Sequence, residues 1–160
     1  VYTTPDRARV DGVVSCTLPL VLDGTVIHDL RLTFENGRAV NVEASTGAEL
    51  VRQHMATDEG AARLGEIALV DKTSRIGASG LTFYTTLLDE NAACHLAWGS
   101  GISTGIEGGA TMSDAALDDI GVNRSVVHVD FMVGAPEVEV LGVRGDGETA
   151  SVLRDNEWQI

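Results

Sequence analysis

Apolar residues along this chain come in short bursts separated by polar and glycine-containing stretches, the spacing of strands and brief helices. Residues 13–18 predict a strand ended by Pro19, and 26–34 predict a second. Asn36-Gly37 then marks a tight hairpin into a strand over 38–44. From Thr46 the period lengthens: Leu50, Val51, His54 and Met55 recur at helical spacing, with Thr46 as the predicted N-cap and Glu49 three residues on. A second helical turn is expected over 58–63. Gly65 then opens a continuous apolar run at 67–70 that reads as a buried strand.

The polar stretch 73–80 predicts a loop, whereas 81–88 fits a helix or a strand equally well. Residues 95–98 predict a strand stopping at Gly99, and the glycine-rich run 100–112 an exposed loop. A helix over 113–120 follows, with Ser113 as N-cap, Asp114 in the first turn and Gly121 at the end. Residues 126–133 form the clearest strand pattern, and 138–143 with 149–153 close the chain as a hairpin around Asp146-Gly147. No internal repeat or linker interrupts residues 1–160. The expected fold is α+β: one domain, a mixed and mainly antiparallel sheet, and a few short helices.

A chain of 160 residues can bury a core without disulfide staples. Its net charge of −13 argues against nucleic acid or an anionic membrane as partner, since both would repel it. Metal cations or the ammonium end of a substrate suit it better. Cys16 and Cys94 match no zinc-ribbon spacing and are expected as two reduced thiols filling apolar space, the state of a cytoplasmic protein. No run of about 18 apolar residues is present, and the chain opens at Val1 without a leader pattern, as a piece of a longer protein would.

Chemistry concentrates at three places. In His128-Val129-Asp130 an imidazole and a carboxylate two residues apart project from one face of an otherwise apolar strand. Unpaired, they would cost several kcal/mol, roughly the price of burying bare polar groups, and a zinc, cobalt or manganese ion would pair with both. Taken by itself, the pair is better explained by hydrogen bonding to neighbours at a sheet edge. The second place is Asp89-Glu90-Asn91 through His95, where Glu90 and His95 converge only if the chain turns between them. The third is Glu66, set between Gly65 and the apolar run. Together, two histidines and several carboxylates make the ligand inventory of a hydrolase with paired metals. His54, on the apolar helix face, is expected in the core, and His28, beside Asp29, at the surface.

At these residues the sequence resembles the thermophilic-type metallo-aminopeptidases, the family of aminopeptidase T and aminopeptidase S. The resemblance runs through Gly65-Glu66-Ile67-Ala68-Leu69-Val70, Ser74-Arg75-Ile76-Gly77, the stretch from Phe83-Tyr84 through Asp89-Glu90-Asn91-Ala92-Ala93-Cys94-His95-Leu96-Ala97, and Asn123-Arg124-Ser125 with His128-Val129-Asp130-Phe131-Met132. It implies that Glu66, His95, His128 and Asp130 are metal ligands and that Glu90 is a further ligand or the acid/base carboxylate. It also implies two divalent ions, peptide substrates and a homodimer. By that resemblance the family's first metal-binding glutamate is expected just upstream of Val1, its larger N-terminal domain is expected to lie outside these residues, and Ile102 stands where the family carries a tyrosine. The chain is thus expected to be the C-terminal, metal-binding portion of an aminopeptidase, poorly active alone. The competing expectation is a non-catalytic folding or dimerisation module that presents an exposed segment over 98–112. A metal-dependent lyase with the same ligands is the third.

Overall fold

In the computed structural model, which describes residues Val1–Ile160, the chain opens with β1 (Tyr2–Thr3) and β2 (Gly12–Ser15). Two hairpins follow, β3 (Leu20–Leu22) with β4 (Thr25–Ile27), and β5 (Arg31–Glu35) with β6 (Arg38–Glu43). Asp23-Gly24 turns the first and Asn36-Gly37 the second, all four residues at positive φ, as type I′ turns require. The single strand expected over 26–34 is therefore two. Asp29, at φ 55°, breaks it and sends β4 and β5 into different sheets.

Helix α1 (Ala48–Met55) turns Val51 and Met55 into the core. Its N-cap is Gly47 in the left-handed region, not Thr46. The Thr46 hydroxyl instead donates to the Val26 carbonyl, at 3.3 Å, which draws it away from the helix end. No helical turn forms over 58–63. There Asp58 accepts hydrogen bonds from the Gly60 and Ala61 amides and holds an irregular turn leading into β7 (Leu64–Ala68).

Of residues 81–88 only the last part becomes regular, as α2 (Thr86–Asp89). Strand β8 (His95–Gly99), helix α3 (Asp114–Asp119) and strand β9 (His128–Met132) come next. Ser113 caps α3 as expected, its hydroxyl accepting from Ala116 N at 3.3 Å. Strands β10 (Val140–Val143), β11 (Thr149–Arg154) and β12 (Glu157–Trp158) form a separate antiparallel sheet. The result is α+β and antiparallel throughout its strand pairings, as the sequence pattern predicts. No helix is long and apolar enough to cross a membrane.

The site depends on the four-stranded sheet of order β1-β7-β8-β9. One of its faces rests on the main core, where Trp98 and Phe131 are fully buried with ring centres 5.5 Å apart, packed with Leu20, Ile27, Leu32 and Leu64. Each fully buried side chain of this size contributes about 1.5–3 kcal/mol. Trp98 is thus a core residue, and the exposed segment expected to begin at it starts only after β8. Both cysteines are free thiols.

Candidate metal centre

The opposite face of that sheet carries the charged side chains. In β8 the alternation His95-Leu96-Ala97-Trp98-Gly99 sends Leu96 and Trp98 toward the core and His95 and Ala97 away from it. The register aligns Glu66 with Ala97 and Ala97 with Asp130 across three strands. His128, two residues before Asp130, shares that face. Strand β9 is the sheet edge, so its His128 end is open to solvent while Phe131 and Met132 are buried.

Glu66 reaches this face through a β-bulge. Leu64 pairs with Trp98, and the next pair is Glu66 with Ala97, leaving Gly65 as the extra residue. Without it, strict alternation would put Glu66 on the same side as the buried Leu64; one inserted residue flips it to the other. Only glycine fits, because a Cβ at Gly65 would lie 2.1 Å from the Ser100 carbonyl oxygen.

The donors converge closely. Ligand atoms of Glu66, His95 and Asp130 all lie within 4.8 Å of one another. The two Glu66 oxygens face different imidazoles: Oε1 is 3.9 Å from His95 Nε2, and Oε2 is 3.2 Å from His128 Nε2. His128 Nε2 is also 3.4 Å from Asp130 Oδ1. Both rings are held from behind. His95 Nδ1 faces the Ala93 carbonyl at 3.1 Å, and His128 Nδ1 faces the Ser100 carbonyl at 2.7 Å. Each Nδ1–H donates to a backbone oxygen, which turns Nε2 toward the carboxylates, the usual arrangement behind a metal-binding histidine.

Glu90 follows α2. The buried Asp89 carboxylate fixes this turn by accepting from Phe83 N at 2.8 Å and Thr85 N at 3.0 Å. The chain then turns through residues 91–93 into His95, which is how Glu90 and His95 approach the same place. Glu90 feels the charges of Asp130, His95 and Glu66 but stands outside the tight donor group. His54 packs edge-on against Trp98, and His28 is exposed, both away from the cluster.

Electrostatics mark the cluster as short of positive charge. Burial, and then the neighbouring Asp130 carboxylate, holds the Glu66 carboxyl above its ordinary range. Glu90 is raised by the same two causes in the same order. The Asp130 hydrogen bond, reinforced by the Ser100 carbonyl against the opposing effect of burial, pushes His128 up to about 9. Three carboxyl groups crowd around two imidazoles, and a divalent cation would relieve that crowding. The oxygen and imidazole donors suit zinc, cobalt or manganese. None of these residues lines the largest surface cleft, about 600 Å³ and walled by Arg7, Arg63, Asp118 and Arg124. The centre is recognised by its donors rather than by concavity.

Several supporting residues carry no sequence signal. Ala93 and Ser100 act through backbone carbonyls. Buried Asn123 donates to the Gly99 carbonyl at 2.6 Å and the Gly60 carbonyl at 2.9 Å, locking the segment before β9 to the end of β8. Ile102 lies in the loop after β8, its amide bonded to Thr4 Oγ1 at 2.9 Å.

A sheet face with clustered carboxylate and imidazole donors makes a candidate metal centre. Comparison with known proteins gives the family: residues 1–158 match the thermophilic metalloprotease (M29) family, and the chain belongs to it. It is 45% identical over 158 residues to aminopeptidase AmpS of Bacillus subtilis (strain 168), covering 99% of this chain and 38% of that protein. It is 44% identical over 160 residues to aminopeptidase T of Thermus thermophilus, covering all of this chain and 39% of that one. The solved structure of wild-type AmpT from Thermus thermophilus superposes with a TM-score of 0.92 at 43% identity, over 99% of this chain and 39% of that chain. The chain thus spans under two fifths of the length of these relatives.

Proposed function

We propose that the protein works as an aminopeptidase, using two divalent cations, zinc, cobalt or manganese, to hydrolyse the N-terminal peptide bond of peptides. One observation carries this reading: the Glu66 carboxylate turns one oxygen to His95 and the other to His128, with Asp130 beside them. Glu66, His95, His128 and Asp130 would hold the cations, with Glu66 facing both imidazoles. The relatives' names supply the substrate class.

When bound, the cations would polarise the scissile carbonyl and bring the pKa of a shared water toward neutrality. The chain's own residues do the rest. Glu66 and Asp130 supply the negative charge, and His95 and His128 present Nε2 because their Nδ1–H groups are held by backbone carbonyls. Glu90, outside the donor group with its carboxyl raised by burial, takes the proton of the attacking water and passes it to the leaving amine. The acidic surroundings favour a free α-ammonium group, which an internal peptide bond lacks, and this selects the chain end.

The protein is further expected to act as a homodimer, which sedimentation would check. Its two free thiols fit a cytoplasmic setting. Since the chain spans 38% of a relative such as AmpS, the 160 residues taken alone are expected to hold cations weakly and to cleave poorly.

The test is metal content and aminoacyl-anilide hydrolysis by the full-length protein. Chelation should abolish hydrolysis, and zinc, cobalt or manganese should restore it. Glu66→Gln and Asp130→Asn should lose bound metal, whereas Glu90→Gln should keep it and lose turnover. Two metals retained per chain in Glu66→Gln would overturn the assignment.

A further inference from the structure

We propose that Ala97 is a positioning residue of the metal centre: its single methyl group leaves free the space in which the Glu66 and Asp130 carboxylates meet. The inference rests on reading the cluster as a cation site and goes beyond the donors to what lies beneath them.

Geometry carries it. Ala97 is the cross-strand partner of both Glu66 and Asp130, so all three side chains leave the sheet on one face. Adjacent strands lie about 4.8 Å apart, which separates the Glu66 and Asp130 backbones by about twice that distance. Their carboxylate oxygens nevertheless lie within 4.8 Å of each other and of the His95 donor. Both side chains must therefore lean inward over position 97. Ala97 is completely buried although it faces away from the main core, on the face where the two carboxylates converge. The same strand places bulky Leu96 and Trp98 on its core face, so small size at position 97 belongs to the site face alone. A side chain with γ-carbons would stand where the carboxylates converge and hold them apart.

The experiment is Co²⁺ titration of the full-length protein, followed by calorimetry and absorption, for wild type, Ala97→Val and Ala97→Cys. Wild type reports on the cluster: if it binds no cobalt, the cation reading itself fails, separately from any role of Ala97. Given wild-type binding, Ala97→Val should weaken cobalt by about 10-fold or more, the scale seen when support around a metal site is disturbed. Its metal-free melting temperature shows whether the fold survives. A folded Ala97→Val that binds within about threefold of wild type overturns the proposal. Ala97→Cys adds a single heavy atom and decides the matter if the valine variant does not fold. Its γ-sulfur stands in the same space, so cobalt affinity should fall severalfold. A folded Ala97→Cys that binds cobalt as wild type does overturns the proposal equally.

Discussion

Asp58 sits in the irregular turn just before β7 and ties the approach to that strand to the approach to β9. Its Oδ1 accepts from Gly60 N at 2.9 Å and Ala61 N at 2.8 Å, and its Oδ2 from Val126 N at 2.8 Å and Ser125 Oγ at 2.9 Å. Replacing it with alanine removes one carboxylate and strands four donors. A charge-assisted bond contributes about 1.5–3 kcal/mol alone, but four sharing one half-buried carboxylate do not add fully, so the total is taken as about 3 kcal/mol. For a chain of this size that lowers the melting temperature by roughly 6–12 °C. The pH dependence has a definite sign. These bonds, the Val126 amide foremost, hold the Asp58 carboxyl below its ordinary value of 3.8. The stabilisation is therefore fully present above about pH 4 and is lost as pH falls through the lowered folded-state value. Thermal melts of wild type and Asp58→Ala from neutral to acid pH should show a gap that closes on acidification. A variant melting within about 1 °C of wild type at neutral pH, or a gap that widens in acid, would refute the reasoning.

Three other outcomes follow from the same geometry. Gly65→Ala pushes a Cβ toward the Ser100 carbonyl, which itself orients His128; cobalt affinity should fall with stability, and a variant with wild-type affinity would contradict the bulge as the device that aims Glu66. Trp98→Ala should cost about 3–5 kcal/mol in urea unfolding, as large aromatic truncations in a closed core do; a loss below about 1 kcal/mol would mean the core does not close around it. The Cys16 thiol, pushed up to about 12 by burial, should resist iodoacetamide in the native protein near neutral pH and react once the chain is unfolded, as mass spectrometry would record.

What could be read from sequence, and what could not, divides by range along the chain. Asn36-Gly37 dictates its turn within two residues, and the hairpin is where the pattern puts it. His128-x-Asp130 needs only the alternation of one strand, and its side chains do stand together. Asp23-Gly24 carries the same signal as Asn36-Gly37, but the strands it joins are only three residues each and give no alternation to read. Thr46 looked like a cap because hydroxyls at helix starts often are, but a β-strand carbonyl claims it. Glu66 is the instructive residue. Nothing local says which face it takes, since a bulge and a three-strand register decide it. Trp98 was misjudged for the related reason that its partner, Phe131, comes from another strand. The supporting carbonyls of Ala93 and Ser100 belong to the backbone, where residue identity is silent.

The Glu66 bulge and the register around Ala97 bear on how the protein is made. No stretch shorter than residues 66–130 contains the whole donor set, and although His128 and Asp130 share one strand, Glu66 and His95 join them only once β7, β8 and β9 are paired. Non-local pairings of this kind form late and slowly. On the proposed function, a half-assembled sheet would offer a cation no more than scattered ligands, so the ion would favour only the finished arrangement and stabilise it by mass action. Metal capture would then double as a checkpoint on folding.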